Sequence, residues 1–178
     1  MKGVIFGLLG DTVSTALGDD AWDAILARAG ATGVYTTLGS YPDDELRALV
    51  EATADATGKT PSEVLRWFGN AAMPTLIALY PHFFAERAGT RDLLLALNAI
   101  VHAEVRKLYP GAACPHFHFR DDGNRLVIGY RSSRKLCRLA HGFIEGVATH
   151  FDETIAITHL QCQHDGSPSC QMELRWPH

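Results

Sequence analysis

With 178 residues, 47% hydrophobic and 20% charged, the chain has the composition of a folded globular unit and the length of one domain or two tightly fused lobes. Its formal charge of −4 excludes a broad phosphate-binding face, because non-specific nucleic-acid binding needs clustered Lys and Arg. No apolar run is long enough to span a membrane, so no membrane partner is expected.

The opening MKGVIFGLLGDTV is a short apolar run broken at Asp11 and without a cleavage region. It reads as a helix rather than a signal peptide, which points to the cytoplasm. Apolar residues at three- and four-residue spacing predict helices over 3–17 and 20–29, and Gly30 and Gly33 mark a loop. PDDELRALVEATADATG begins with carboxylates that suit a helix N-terminus and stops at Gly58. TPSEVLRWFGNAAM places Thr60 and Glu63 in capping-box spacing with Pro61 first in the helix, and Pro74 is expected to kink or end it. TRDLLLALNAIVHAEVRKLY is the strongest helical pattern and predicts one helix, stopped by Pro110 and Gly111.

The texture then changes. HFHFR, NRLVIGYRS, TIAITHLQC and CQMELRW alternate like half-exposed strands, with DDGN as a hairpin turn between the first two. KLCRLAHGFIEGVATHF returns to helical spacing between the second and third. The order predicts an α+β fold: a helical lobe, then a lobe with a four-stranded antiparallel sheet plus a helix.

His102 lies beside the apolar stripe Leu94, Leu97, Val101, Val105 and Leu108. Such a histidine is commonly a half-buried structural residue, but an imidazole on a rigid apolar helix is also what axial ligation of heme iron requires. YRSSR places Tyr130, Ser132 and Arg134 at alternate positions; in extended chain these donors share one side. Alone, they describe a strand end with an exposed arginine. Together with His102 they suit heme, whose two propionates need a guanidinium fork and hydroxyls where the ring meets solvent.

A histidine seven residues before Tyr-Pro-Gly, Pro115 five residues after that proline, and Tyr-x-Ser-x-Arg further on resemble the heme-nitric oxide/oxygen binding (H-NOX) family, which includes the heme domain of soluble guanylate cyclase. MKGVIFG and the FG of LRWFGNAA also fit, so the resemblance spans essentially the whole chain. It implies a single H-NOX-like domain over 1–178 holding heme b between a helical lobe, about 1–60, and a heme-holding lobe, about 61–178. It further implies His102 as the proximal iron ligand, Tyr130, Ser132 and Arg134 as the propionate clamp, and Pro115 as the residue that presses the macrocycle out of plane. In oxygen-binding members a distal tyrosine stands five residues after the clamp arginine. Here that position is Leu139, Leu9 replaces a tryptophan, and Ile5 keeps its apolar character. The expected ligands are NO and CO without a stable oxygen complex, with Tyr80 as a further donor that could enter from the helical lobe.

Four cysteines in a chain expected to be cytoplasmic are more often reduced, metal-bound or redox-active than disulfide-bonded. Cys137, His159, Cys162 and Cys170 make a Cys₃His set, the composition of a closed structural zinc site, against which loosely placed thiols are the alternative. A zinc-containing bacterial subset of the resembled family carries the same Cys…His-x₂-Cys-x₇-Cys arrangement. His164 competes with His159 as the nitrogen donor, and Cys114 is expected to be a packed residue near heme.

No phosphate loop or acid–base pair marks an enzyme. The expected function is a heme-based NO sensor: NO binds ferrous heme trans to His102, weakens the Fe–His bond and shifts the protein. Because the chain ends at His178 without an output domain, the partner is expected to be a separate histidine kinase or cyclic-di-GMP enzyme. The alternatives are a zinc/thiol redox sensor without heme, and a heme oxygen-binding or peroxidase-like protein.

Overall fold

The computed structural model describes residues 1–177. Eight α-helices precede or interrupt one four-stranded sheet: α1 (Gly3–Leu17), α2 (Asp19–Ala29), α3 (Asp43–Thr57), α4 (Pro61–Ala71), α5 (Met73–Leu79), α6 (Thr90–Ala96), α7 (His102–Leu108), β1 (His116–Asp121), β2 (Arg125–Arg131), α8 (Cys137–His150), β3 (Ala156–Gln161) and β4 (Cys170–Arg175). This is the α+β architecture that the helical and alternating patterns predict. The strand order is β1-β2-β4-β3, every neighbouring pair antiparallel. No described helix is long and apolar enough to cross a membrane.

Helices α1 to α4 enclose one core built on Phe6, Leu9, Leu49, Val64 and Phe68, to which Leu139 of α8 also belongs. A second core lies on the inner face of the sheet, where Leu126, Ile128, Met172 and Leu174 meet Ile144 of α8 and Leu94 of α6. The α4 capping box is present: Thr60 N–H donates to Glu63 Oε2 at 2.7 Å, and Glu63 N–H donates to Thr60 Oγ1 at 3.3 Å. Pro74 does not kink α4. It sits in the first turn of α5, where its missing N–H costs nothing.

Helix α8 joins the two cores because its backbone touches that of α4. A Cβ on Gly142 would lie 2.0 Å from the Arg66 carbonyl oxygen, and one on Gly69 would lie 2.4 Å from the Leu139 carbonyl oxygen. No rotamer relieves a clash with backbone. Gly142→Ala is therefore expected to destabilise the fold by about 2–3 kcal/mol. A urea titration checks this, and an unchanged midpoint would show that the two helices can separate freely.

The stretch expected as one helix over 90–109 is divided. Leu97–Val101 forms a π-helical turn between α6 and α7 and ends immediately before His102. Within this turn the Asn98 side chain leaves the helix to grip β1. Asn98 Nδ2 donates to the Phe117 carbonyl at 2.6 Å, and Phe117 N–H donates to Asn98 Oδ1 at 3.2 Å. β1 is an edge strand, so one asparagine both satisfies its open backbone groups and ties the helix to the sheet.

Candidate functional site

A cavity of about 470 Å³ opens between α1, α5, the α6–α7 segment, β2 and α8. That is the size of pockets that hold cofactor-sized ligands. Its wall includes Ile5, His102, Pro115, Tyr130, Ser132, Arg134 and Leu139, so seven residues spread over most of the chain converge there. Leu94, Leu97, Val101 and Val105 line it beside His102, whereas Leu108 of the same stripe is 47% exposed outside it. Leu9 packs instead in the core of α1 to α4.

The His102 ring stacks on Phe117, with centroids 5.7 Å apart, and its buried Nδ1 has no hydrogen-bond partner among the described residues. Burial, then the nearby Arg106 charge, push its pKa down to about 4, with the Pro115 carbonyl pulling weakly the other way. The imidazole is therefore neutral near pH 7, the state in which it can ligate a metal.

Polar groups gather at one end of the cavity. Tyr130 is buried, and its hydroxyl accepts from Leu136 N–H at 3.1 Å. The alternation expected through YRSSR holds only as far as Arg131, where β2 ends. Ser132 to Lys135 instead form a turn closed by Lys135 N–H donating to the Ser132 carbonyl at 3.2 Å, and Ser132 Oγ accepts from Arg134 N–H at 3.2 Å. The three donors meet at the cavity because the chain turns, not because a strand continues.

Arg134 is held from two sides. Its Nε donates to Asp43 Oδ2 at 2.7 Å and its Nη1 to the Ala113 carbonyl at 2.7 Å. Asp43, first in α3, also receives the Met1 ammonium at 2.6 Å. Although burial opposes it, the Met1 ammonium and Arg134 hold the Asp43 carboxyl below the ordinary carboxylate range. Lys2 and Ser40, also on the cavity wall, share a hydrogen bond of 2.8 Å. Asp43 and Lys2 were not legible as site residues, since only the folded chain brings Asp43 to Arg134 and Lys2 to the cavity wall.

Around Ile5 and Leu139 the wall continues with Met73, Leu76 and Phe143, all without a hydrogen-bond donor. Tyr80 does reach the cavity, but its hydroxyl is bonded to that of Tyr109, whose pKa burial and this partner push up to about 12. Cys114 lines the cavity beside Pro115, with burial raising its thiol.

A second cluster lies behind α8. Cys137 opens that helix, Cys162 follows β3 and Cys170 begins β4, and all three are buried. The sulfur atoms of Cys137 and Cys162 are 3.5 Å apart and those of Cys162 and Cys170 3.6 Å. Gln163 N–H donates to Cys170 Sγ at 3.2 Å. Burial and the two neighbouring sulfurs push the Cys137 thiol up.

The two candidate histidines are placed differently. The ring of His164 lies within 4.8 Å of the Cys137 and Cys162 sulfurs, while its Nε2–H donates to the Lys135 carbonyl at 2.7 Å. His159 Nε2 lies 2.9 Å from Nδ1 of buried His141, and its own Nδ1 is buried without a partner among the described residues. Burial, then the Arg138 charge, lower the His159 pKa to about 4, and burial lowers that of His141.

The sequence matches the Haem-NO-binding family pattern over residues 2–159. The chain belongs to the Haem-NO-binding family. Comparison with curated proteins finds no match. Among solved structures, an S. oneidensis H-NOX protein in the Fe(II)NO state is 28% identical, with a TM-score of 0.94 and 100% of both chains covered. The unliganded Fe(II) H-NOX protein from K. algicida is 25% identical, with a TM-score of 0.90 over 100% of this chain and 97% of that one. The H-NOX domain of Shewanella oneidensis in its Fe(II)CO state is 28% identical, with a TM-score of 0.90 over 100% and 99%. The H-NOX architecture is thus shared from end to end.

Proposed function

We propose that this chain is a heme-based nitric oxide sensor that regulates a separate signalling protein, a histidine kinase or a cyclic-di-GMP enzyme. The observation that carries the reading is His102: a neutral imidazole on an apolar cavity wall, facing the same space as Arg134 and Tyr130. The residues fit heme b. His102 would hold the iron, Arg134 with Tyr130 and Ser132 the propionates, and Pro115 the ring edge. Bound there, ferrous heme would supply the iron chemistry that binds NO or CO.

The remaining steps belong to the protein. His102 opens α7, and Asn98 in the turn before it is bonded to Phe117, so a displacement of α7 would reach β1 there. Asp43, bonded to Arg134 and the Met1 ammonium, ties the helical lobe to the clamp, so clamp and lobe shift together. A ligand acts as a signal only by binding two arrangements unequally, and these two ties are routes by which a displacement at the cavity would reach the sheet and the helical lobe.

The test is the absorbance spectrum of the purified protein, ferric and ferrous, then with CO, NO and air, beside His102→Ala. The expected result is a Soret band that shifts with CO and NO, persists without an oxygen complex in air, and is altered or lost in the variant. Protein that takes up no added heme would leave only a thiol sensor. A lasting ferrous-oxygen spectrum would make it an oxygen-binding protein.

The three-thiol cluster supports a structural zinc as well. A disulfide needs about 2.05 Å between sulfurs, whereas bonds of about 2.3 Å to a tetrahedral zinc place sulfurs about 3.8 Å apart. The spacings of 3.5 and 3.6 Å resemble the second. Without a cation the Cys137 thiol keeps its proton, since burial and the neighbouring sulfurs raise it, and a bound zinc would displace that proton.

A further inference from the structure

β2 ends at Arg131, so Arg134 stands on a turn that no strand ladder supports. Two bonds within residues 132–135 close that turn, Lys135 N–H to the Ser132 carbonyl and Arg134 N–H to Ser132 Oγ, both at 3.2 Å. The turn ends at Lys135, whose φ of +54° lies in the left-handed region. There a side chain crowds its own backbone, a cost that glycine escapes and lysine does not. A short turn under such strain keeps one shape only when contacts from outside hold it.

Those contacts come from one distant segment, the turn between β3 and β4. Gln163 Oε1 accepts from Ser132 N–H at 3.3 Å, and His164 Nε2–H donates to the Lys135 carbonyl at 2.7 Å. One bond fastens the first residue of the 132–135 turn and the other fastens its last. The gripping segment is itself fixed. Asp165 N–H and Ser167 N–H both donate to the Cys162 carbonyl, at 3.1 and 3.2 Å, and Gln163 N–H donates to Cys170 Sγ. Gln163 and His164 both stand outside the cavity wall.

We infer that Gln163 and His164 are positioning residues for the anion clamp: they brace the 132–135 turn in the shape that presents Ser132 and Arg134 to the cavity, where a heme carboxylate would meet them. The inference deepens the heme reading above and rests on it. Gln163 fixes the backbone of Ser132, whose Oγ in turn holds the Arg134 N–H. His164 holds the Lys135 carbonyl and so offsets the left-handed φ at the exit. Asp43 and the Ala113 carbonyl orient the Arg134 guanidinium, but they leave the backbone that carries it to this brace.

The experiment pairs amide hydrogen exchange at Ser132 and Lys135 with the rate of heme release to excess apomyoglobin, in the whole chain. Gln163→Met keeps the size of the side chain and removes the amide oxygen. It is expected to speed exchange at Ser132 and heme release by about fivefold, the effect of losing one hydrogen bond of ordinary strength. His164→Ala should do the same from the Lys135 end. His164→Gln, whose amide N–H can donate to the Lys135 carbonyl, should restore most of the loss. Adding Lys135→Gly to His164→Ala should recover part of it, because glycine needs no brace at positive φ. An unchanged urea midpoint separates these results from unfolding. Heme release at the wild-type rate from both Gln163→Met and His164→Ala would overturn the proposal. Faster release with both amides still protected would also overturn it, since the effect would then travel by another route, such as the thiol cluster. A wild type that takes up no heme would remove the heme reading and this inference with it, a result distinct from a heme protein indifferent to both variants.

Discussion

His102→Gly is expected to lose its heme on purification and to recover a Soret band when reconstituted in millimolar imidazole. The apolar cavity and the Arg134–Asp43 pair are untouched by this variant, so on the proposed reading only the coordinate bond is removed. A loss of only ~3 kcal/mol weakens binding by about two orders of magnitude, enough for heme to wash out. The backbone cost of glycine in a helix is about 1 kcal/mol. It falls just after a π turn that is already irregular, so the fold should persist. Circular dichroism and the urea midpoint separate this result from unfolding. Full heme retention with an unchanged ferrous spectrum would show that another residue holds the iron, and would end the assignment of His102.

The strongest local patterns carried through to structure because local physics decides them. The Thr60–Glu63 capping box, the DDGN hairpin and the alternation of CQMELR depend on neighbours a few residues away, whereas Leu126, Val127 and Ile128 of β2 are buried one after another because that strand lies inside the sheet. What was not legible depends on partners far off in the chain. The π turn carries Asn98, which reaches Phe117 nineteen residues on, and nothing in LLLALNAIV except one polar residue hints at that partner. Arg134 stood out in its motif, but its partner Asp43, ninety-one residues earlier, did not. The thiol cluster shows the same division. Its cysteines are visible as a set in the sequence, whereas His141 is an ordinary helical histidine until α8 sets it against His159 of β3.

Gas preference is where the site turns on a single side chain. Leu139→Tyr is expected to convert a protein without a lasting oxygen complex into one that forms it in air, with little change in NO binding. Bound oxygen carries partial negative charge, and a hydrogen bond to a charged acceptor contributes about 1.5–3 kcal/mol. That corresponds to oxygen dissociation slowed by roughly ten- to a hundredfold. NO draws less on such a donor. Leu139 is 5% exposed, and its neighbours Met73, Leu76 and Phe143 offer no competing acceptor for a phenol. Stopped-flow release of oxygen from the ferrous variant gives the rate. The Tyr80–Tyr109 pair makes the wild type an informative control, because two hydroxyls joined by one hydrogen bond retain one proton to donate. A stable oxygen complex in the wild type that disappears in Tyr80→Phe would place the distal donor on α5's C-terminal side. Leu139 would then be a packing residue. Without that complex, the apolar wall around Ile5 and Leu139 is what discriminates against oxygen.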